Sequence, residues 1–67
     1  MDRLSPAQRR VLVALASGDP RRIVAPRLGL SVWTVNNHAR HAYAKLGARS
    51  LIQALNVAAA TGQLTDP

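Results

Sequence analysis

The chain contains no cysteine and no glutamate. Without cysteine there can be no disulfide and no thiolate metal site, a composition that suits the cytoplasm. The only acids are Asp2, Asp19 and Asp66, which the pattern puts in a terminus, a helix cap and a tail. No two carboxylates can be set around a substrate for acid–base work. Ser5, Ser31 and Ser50 all fall at helix starts, where capping occupies them, and no Ser-His-Asp set emerges. The chain therefore reads as a non-enzyme with no cofactor. Long apolar runs are missing too: the stretch near Ala54 to Ala60 is too short and too interrupted to span a membrane. Met1 is followed at once by Asp2 and Arg3, so no signal peptide is expected.

What the chain does have is positive charge. Nine Lys and Arg against three acids give a formal charge of +6, and eight of the nine cations are Arg. Arginine favours bidentate contact with phosphates and bases. Generic surface charge would be balanced by acids, and almost none are available, so a polyanionic partner is expected. A chain of 67 residues is one small domain that buries only about 60% of its unfolded surface. Such domains draw stability from a metal, a disulfide or a partner. Here oligomerisation or DNA binding is the remaining source.

Helix signals divide the chain into four. Ser5 as N-cap, Pro6 in the first helical position and Gln8 completing a capping box predict a helix from 6 to about 17, stopped by Gly18. Its inner stripe is Val11, Leu12 and Leu15, with Arg9 and Arg10 off it. A short second helix is expected over about 20–28, with Asp19 as N-cap and Ile23, Val24 and Leu28 towards the core. Pro26 should distort or interrupt it, and should bias Ala25 away from helical angles. Gly29-Leu30-Ser31 forms a turn, Ser31 caps a third helix over 32–46, and Gly47 ends it. Ser50 with Gln53 reads as another capping box opening a fourth helix, about 51–61, closed by Gly62. Leu51, Ala54, Leu55 and Ala58 make its inner face, and Gln63 to Pro67 should be a frayed tail. No internal repeat or low-complexity linker is evident.

The third helix carries the sharpest signal. Val35, Ala39, Ala42 and Leu46 recur at spacings of four, three and four, which stacks them on one side. Trp33, Asn36, Asn37, Arg40 and Ala44 fall on the other. Consecutive Asn residues are mediocre helix formers, so their place on an exposed face suits base reading better than stability. Asn pairs bidentately with adenine and Arg with guanine in the major groove. These three polar residues, Asn36, Asn37 and Arg40, are the candidate base contacts.

Other residues admit two readings each. Arg21 and Arg22 open the second helix, where the dipole disfavours cations; either a DNA phosphate docks there or two exposed arginines are screened by salt. Trp33 either packs on the turn against Leu30 or the second helix, or meets a sugar-phosphate or a thymine methyl. His38 and His41 are three apart, a possible metal pair, but no acid or cysteine completes the set. The plainer expectation is that His38 is half-buried and hydrogen-bonded, while His41 is solvated or touches a phosphate. Tyr43 borders the core stripe, so a partly buried ring with a wet hydroxyl is expected.

Taken together, these segments resemble the LuxR-type (GerE- or FixJ-type) helix-turn-helix domain of bacterial transcription regulators. The family's opening L-[ST]-x-x-[EQ] and V-L correspond to Leu4–Gln8 and Val11-Leu12. Its L-G-[IL]-S corresponds to Leu28–Ser31. Its T-V-x-N-H-x-x-x-x-Y-x-K-L-G-x-x-[ST] is kept at every named position from Thr34 to Ser50. The resemblance runs from Leu4 to about Ala58, within a core of 4–62. It implies an all-α, four-helix domain whose third helix enters the major groove of double-stranded DNA and whose fourth often forms a dimer contact. Phosphate contacts would map to Ser31, Thr34, Lys45 and the start of the second helix, and Ile52, Asn56 and Ala59 are the dimer candidates. Where the family has a capping Ser or Thr and N-K-E-I-A, this chain has Pro20-Arg21-Arg22-Ile23-Val24-Ala25 and then Pro26. The family's frequent recognition-helix Lys is Asn36 here, which implies a distinct target sequence. Family members usually carry a receiver or ligand-binding domain before this unit, so the chain is expected to be a stand-alone regulator or a part of a longer one.

The expected function is sequence-specific DNA binding in transcription regulation, as a dimer on a near-palindromic site. One rival is a promoter-reading unit similar to sigma factor region four, against which the T-V-x-N-H string argues. Another is a module of the same fold that docks on RNA polymerase or another regulator, which the altered second helix keeps open.

Overall fold

The computed structural model describes residues 3–64. Four helices follow in order: α1 (Pro6–Leu15), α2 (Arg21–Arg27), α3 (Val32–Leu46) and α4 (Leu51–Ala60). The described residues contain no strand. α3 packs against the other three helices, whereas α2 and α4 do not meet.

The core lies in two clusters joined through α1 and α3. Leu4, Leu12, Ala42, Leu46, Ala54 and Ala58 form one, and α4 covers it. Val11, Leu15, Val24, Ala25, Val35 and Ala39 form the other, covered by α2. Tyr43 and Leu51 pack against both. The stripe expected on α3 is the buried one: Val35, Ala39 and Ala42 are fully inaccessible and Leu46 nearly so. Two of its four members are alanines, whose small side chains let neighbouring backbones come close. α3 is thereby held on three sides, and its remaining face is left to solvent.

Local chemistry explains most boundaries. Ser5 and Gln8 form both bonds of the capping box. Ser31 Oγ accepts from the Thr34 N–H at 3.1 Å, and Ser50 Oγ from the Gln53 N–H at 3.2 Å. The second box is not closed as expected, because Gln53 Oε1 accepts from the Arg49 N–H at 2.8 Å instead of from Ser50. α2 ends in a Schellman motif: Leu30 N–H donates to the Ala25 carbonyl and Gly29 N–H to that of Pro26. Gly29 carries the positive φ of 68° that this ending requires.

Five further expectations need correction. α1 stops at Leu15, not Ser17, since Ser17 Oγ donates to the Ala14 carbonyl at 2.9 Å and the backbone tightens into a turn. Asp19 does not cap α2. Pro20 occupies the N-cap position without a side-chain bond, and Asp19 turns instead to Arg27, 2.8 Å away. Pro26 does not interrupt α2, which runs through it to Arg27, with Ala25 helical and buried. Proline stands sixth of seven residues, so it forfeits only the bond to the Arg22 carbonyl, on a residue at the surface. Ile23 lies 41% exposed, leaving Val24 and Ala25 to face the core.

The fifth correction concerns the tail. Gln63 is buried, its Oε1 accepts the Leu4 N–H at 2.7 Å, and Leu64 packs on the first core cluster. Residues 65–67, the rest of the expected frayed tail, lie outside the described residues.

Candidate nucleic-acid interface

The turn between α2 and α3 sets the orientation of the exposed face. Ser31 both caps α3 and shares a 2.9 Å hydroxyl–hydroxyl bond with Thr34. This ties the two polar residues to the first turn of the helix. The hydroxyls therefore stand where the helix begins, beside its unpaired N–H groups.

Along α3 the side chains divide as the periodicity expects. Trp33 is 74% exposed, so it does not pack on the turn against Leu30. Arg40 and His41 are exposed, and Thr34, Asn36, Asn37 and His38 are half-buried. No hydrogen bond holds His38 among the described residues, contrary to expectation. Nor do any three His, Cys, Asp or Glu side chains gather among those residues into a set that could hold a metal.

The two asparagines are anchored in opposite senses. Asn37 Nδ2 donates to the Trp33 carbonyl one turn back, at 3.0 Å. Asn36 Oδ1 accepts from Arg21 Nη1 at 2.5 Å. The same guanidinium donates from Nη2 to the Tyr43 hydroxyl at 3.3 Å. Arg21 is thus half-buried and bridges α2 to α3, while Arg22 beside it is exposed. The Tyr43 hydroxyl, expected to be wet, has a protein partner. Sequence reasoning missed this bridge, because nothing local links positions 15 and 22 residues apart.

Charge is unbalanced across this side. Asp19 is the only acid among the described residues, and Arg27 holds it. Among the described residues neither Arg22 nor Arg40 forms an ion pair. Lys45 is half-buried and donates from Nζ to the Arg3 carbonyl at 3.2 Å. On α4, Ile52 is 72% exposed, and Asn56 and Ala59 are exposed with it. Spaced four and three residues apart on α4, they form a small uncharged strip. No helix of the described residues is long and apolar enough to cross a membrane.

A short helix, a glycine turn and a serine-capped second helix with a polar outer face define a helix-turn-helix domain. Residues 2–58 match the family of bacterial regulatory proteins of the luxR type, and the chain belongs to that family. It is a family of DNA-binding transcription regulators and not of enzymes. The chain is 46% identical over 52 residues to the probable HTH-type transcriptional regulator GfsR of Streptomyces halstedii, covering 78% of this chain and 21% of that protein. Proteins of Mycobacterium bovis and Mycobacterium tuberculosis, also named as HTH-type transcriptional regulators, are each 39% identical over 59 residues, 88% of this chain and 7% of theirs. The chain therefore spans about a fifth or less of the length of these relatives. No solved structure matches it at a significant level.

Proposed function

We propose that this domain binds a specific DNA sequence as a dimer on a near-palindromic site, with α3 in the major groove. One observation carries the reading. The inner face of α3 is fully buried, while its outer face presents Trp33, Asn37, Arg40 and His41 with no acid anywhere on the helix. Such a face is suited to a polyanion lined with hydrogen-bonding edges. Arg40, Asn36 and Asn37 read bases. Arg21, Arg22, Ser31, Trp33, Thr34, His41 and Lys45 contact phosphates and fix the register without carrying sequence information. Two of the five guanidinium donors of Arg21 are engaged with α3, which leaves others for phosphate. Ile52, Asn56 and Ala59 on α4 form the dimer contact.

The alternative is a module of this fold that docks on RNA polymerase or another regulator with little DNA contact. Pro26 and the altered sequence of α2 are the features that keep it open. A continuous α2 favours the DNA reading.

The test is selection from a random duplex pool, followed by salt titration of the enriched sequence and a scrambled control. The expected result is an enriched two-fold site, with specific binding roughly 10³-fold or more above the control. Weak binding without enrichment, steeply lost with salt, would sink the reading and favour the docking alternative.

A further inference from the structure

We infer that Arg21 is a positioning residue for base recognition: through its bond to Oδ1 it fixes which end of the Asn36 amide faces the DNA. This rests on the proposed reading that Asn36 meets a base edge.

The argument starts from the amide. An asparagine side chain has an acceptor at one end and a donor at the other, and an unrestrained one turns over to suit either partner. A guanidinium has donors only. Arg21 Nη1 therefore holds Oδ1 and opposes Nδ2, since the flipped amide would set donor against donor. The guanidinium is itself fixed by the bond from Nη2 to the Tyr43 hydroxyl. Tyr43 in turn is a rigid post, because its ring packs against both core clusters. The chain of restraint runs from the core through Tyr43 and Arg21 to Asn36.

The consequence is chemical. With Oδ1 held inward, Asn36 presents Nδ2, a donor. Guanine, adenine and thymine all offer acceptors in the major groove, whereas the hydrogen-bonding group of cytosine there is the N4 donor. The base read by Asn36 is expected to be any but cytosine. Asn37 is restrained the opposite way, with Nδ2 committed to the Trp33 carbonyl and Oδ1 left to accept. The two neighbouring amides thereby offer one donor and one acceptor in a fixed order.

Selection from a random duplex pool tests this with the wild-type protein, Asn36→Ala, Arg21→Met, Arg21→Gln and Arg21→Lys. Asn36→Ala identifies the base pair that Asn36 reads. Wild type should disfavour cytosine there roughly tenfold or more, and Arg21→Met should reduce that to under about threefold, with all other positions kept. Arg21→Gln should relax the same position, because an amide can turn over and accept from Nδ2 as readily as it donates to Oδ1. Arg21→Lys keeps the charge and is also a donor only, so it should restore any phosphate contact and retain part of the exclusion. If Arg21→Met does not fold, Arg21→Gln and Tyr43→Phe answer the same question, the latter loosening the fork at its second anchor. Unchanged cytosine exclusion in Arg21→Met, or in Arg21→Gln where the methionine variant does not fold, overturns the inference. So does a uniform loss of affinity in Arg21→Met that lysine restores, with the exclusion the same in both, which marks a phosphate contact only. If Asn36→Ala alters no position, the inference falls while the regulator reading stands. If wild type enriches no site, both fall.

Discussion

Gln63 Oε1 accepts the backbone N–H of Leu4 at 2.7 Å, across 59 residues of chain, and both residues are buried. The bond closes the two ends of the domain over the cluster that α1, α3 and α4 share. Gln63 reaches this position because Gly62, two residues past the end of α4 at Ala60, has a φ of 70° and turns the chain back so that Gln63 N–H meets the Ala58 carbonyl. We predict that Gln63→Ala, which leaves a buried N–H without a partner, destabilises the domain by about 1–3 kcal/mol. The melting temperature should fall by about 4–8 °C for each kcal/mol. Sequence preference on DNA should be untouched. An unchanged melting temperature would mean that water takes the place of the amide.

Arg40 stands on the exposed face of α3 and forms no ion pair among the described residues. As a base contact, its replacement by Ala should cost about 1–3 kcal/mol on the specific site and relax preference at one base pair. Competition with single-substituted duplexes measures this directly. Equal weakening on every duplex would make Arg40 a phosphate contact instead.

Arg22 is exposed beside the anchored Arg21, and only phosphate contact is proposed for it. Arg22→Ala should reduce the slope of log affinity against log salt by about 0.9, one phosphate's share for duplex DNA. The preferred sequence should be the same as that of wild type. A wild-type slope would place Arg22 outside the interface.

Much of the fold is legible because its signals are local. Ser5, Ser31 and Ser50 cap the helices they were expected to cap, and the spacing of Val35, Ala39, Ala42 and Leu46 marks the buried side of α3. Errors gather where one residue has competing partners. Asp19 could cap a helix or pair with a cation eight residues on, and with Pro20 in the N-cap position the cation has it. Proline is read as a helix breaker, yet near the end of α2 it removes a single bond. Gln63 looks like tail in sequence, because its partner is at the other terminus. The candidate contacts on α3 follow from periodicity, whereas the Arg21 bridge to Asn36 and Tyr43 exists only once α2 is docked on α3.

The dimer prediction turns on Ile52. Its side chain is 72% exposed on a helix whose buried face is already supplied by Ala54 and Ala58, so the core gives it no reason to be apolar. Asn56 and Ala59 share this uncharged strip. A two-fold contact sets each such strip against itself, so a charge placed there meets its own copy. We predict that Ile52→Glu leaves the melting temperature of the free domain within about 2–4 °C, as expected of a surface change, and keeps binding to an isolated half-site. Binding to the two-fold site should lose its cooperativity, because the two carboxylates would face each other where apolar surface was to be covered. Titration of one- and two-half-site duplexes by sedimentation or gel shift separates the two effects. Retained cooperativity would move the dimer contact off this strip, and loss of half-site binding as well would place Ile52 at the DNA.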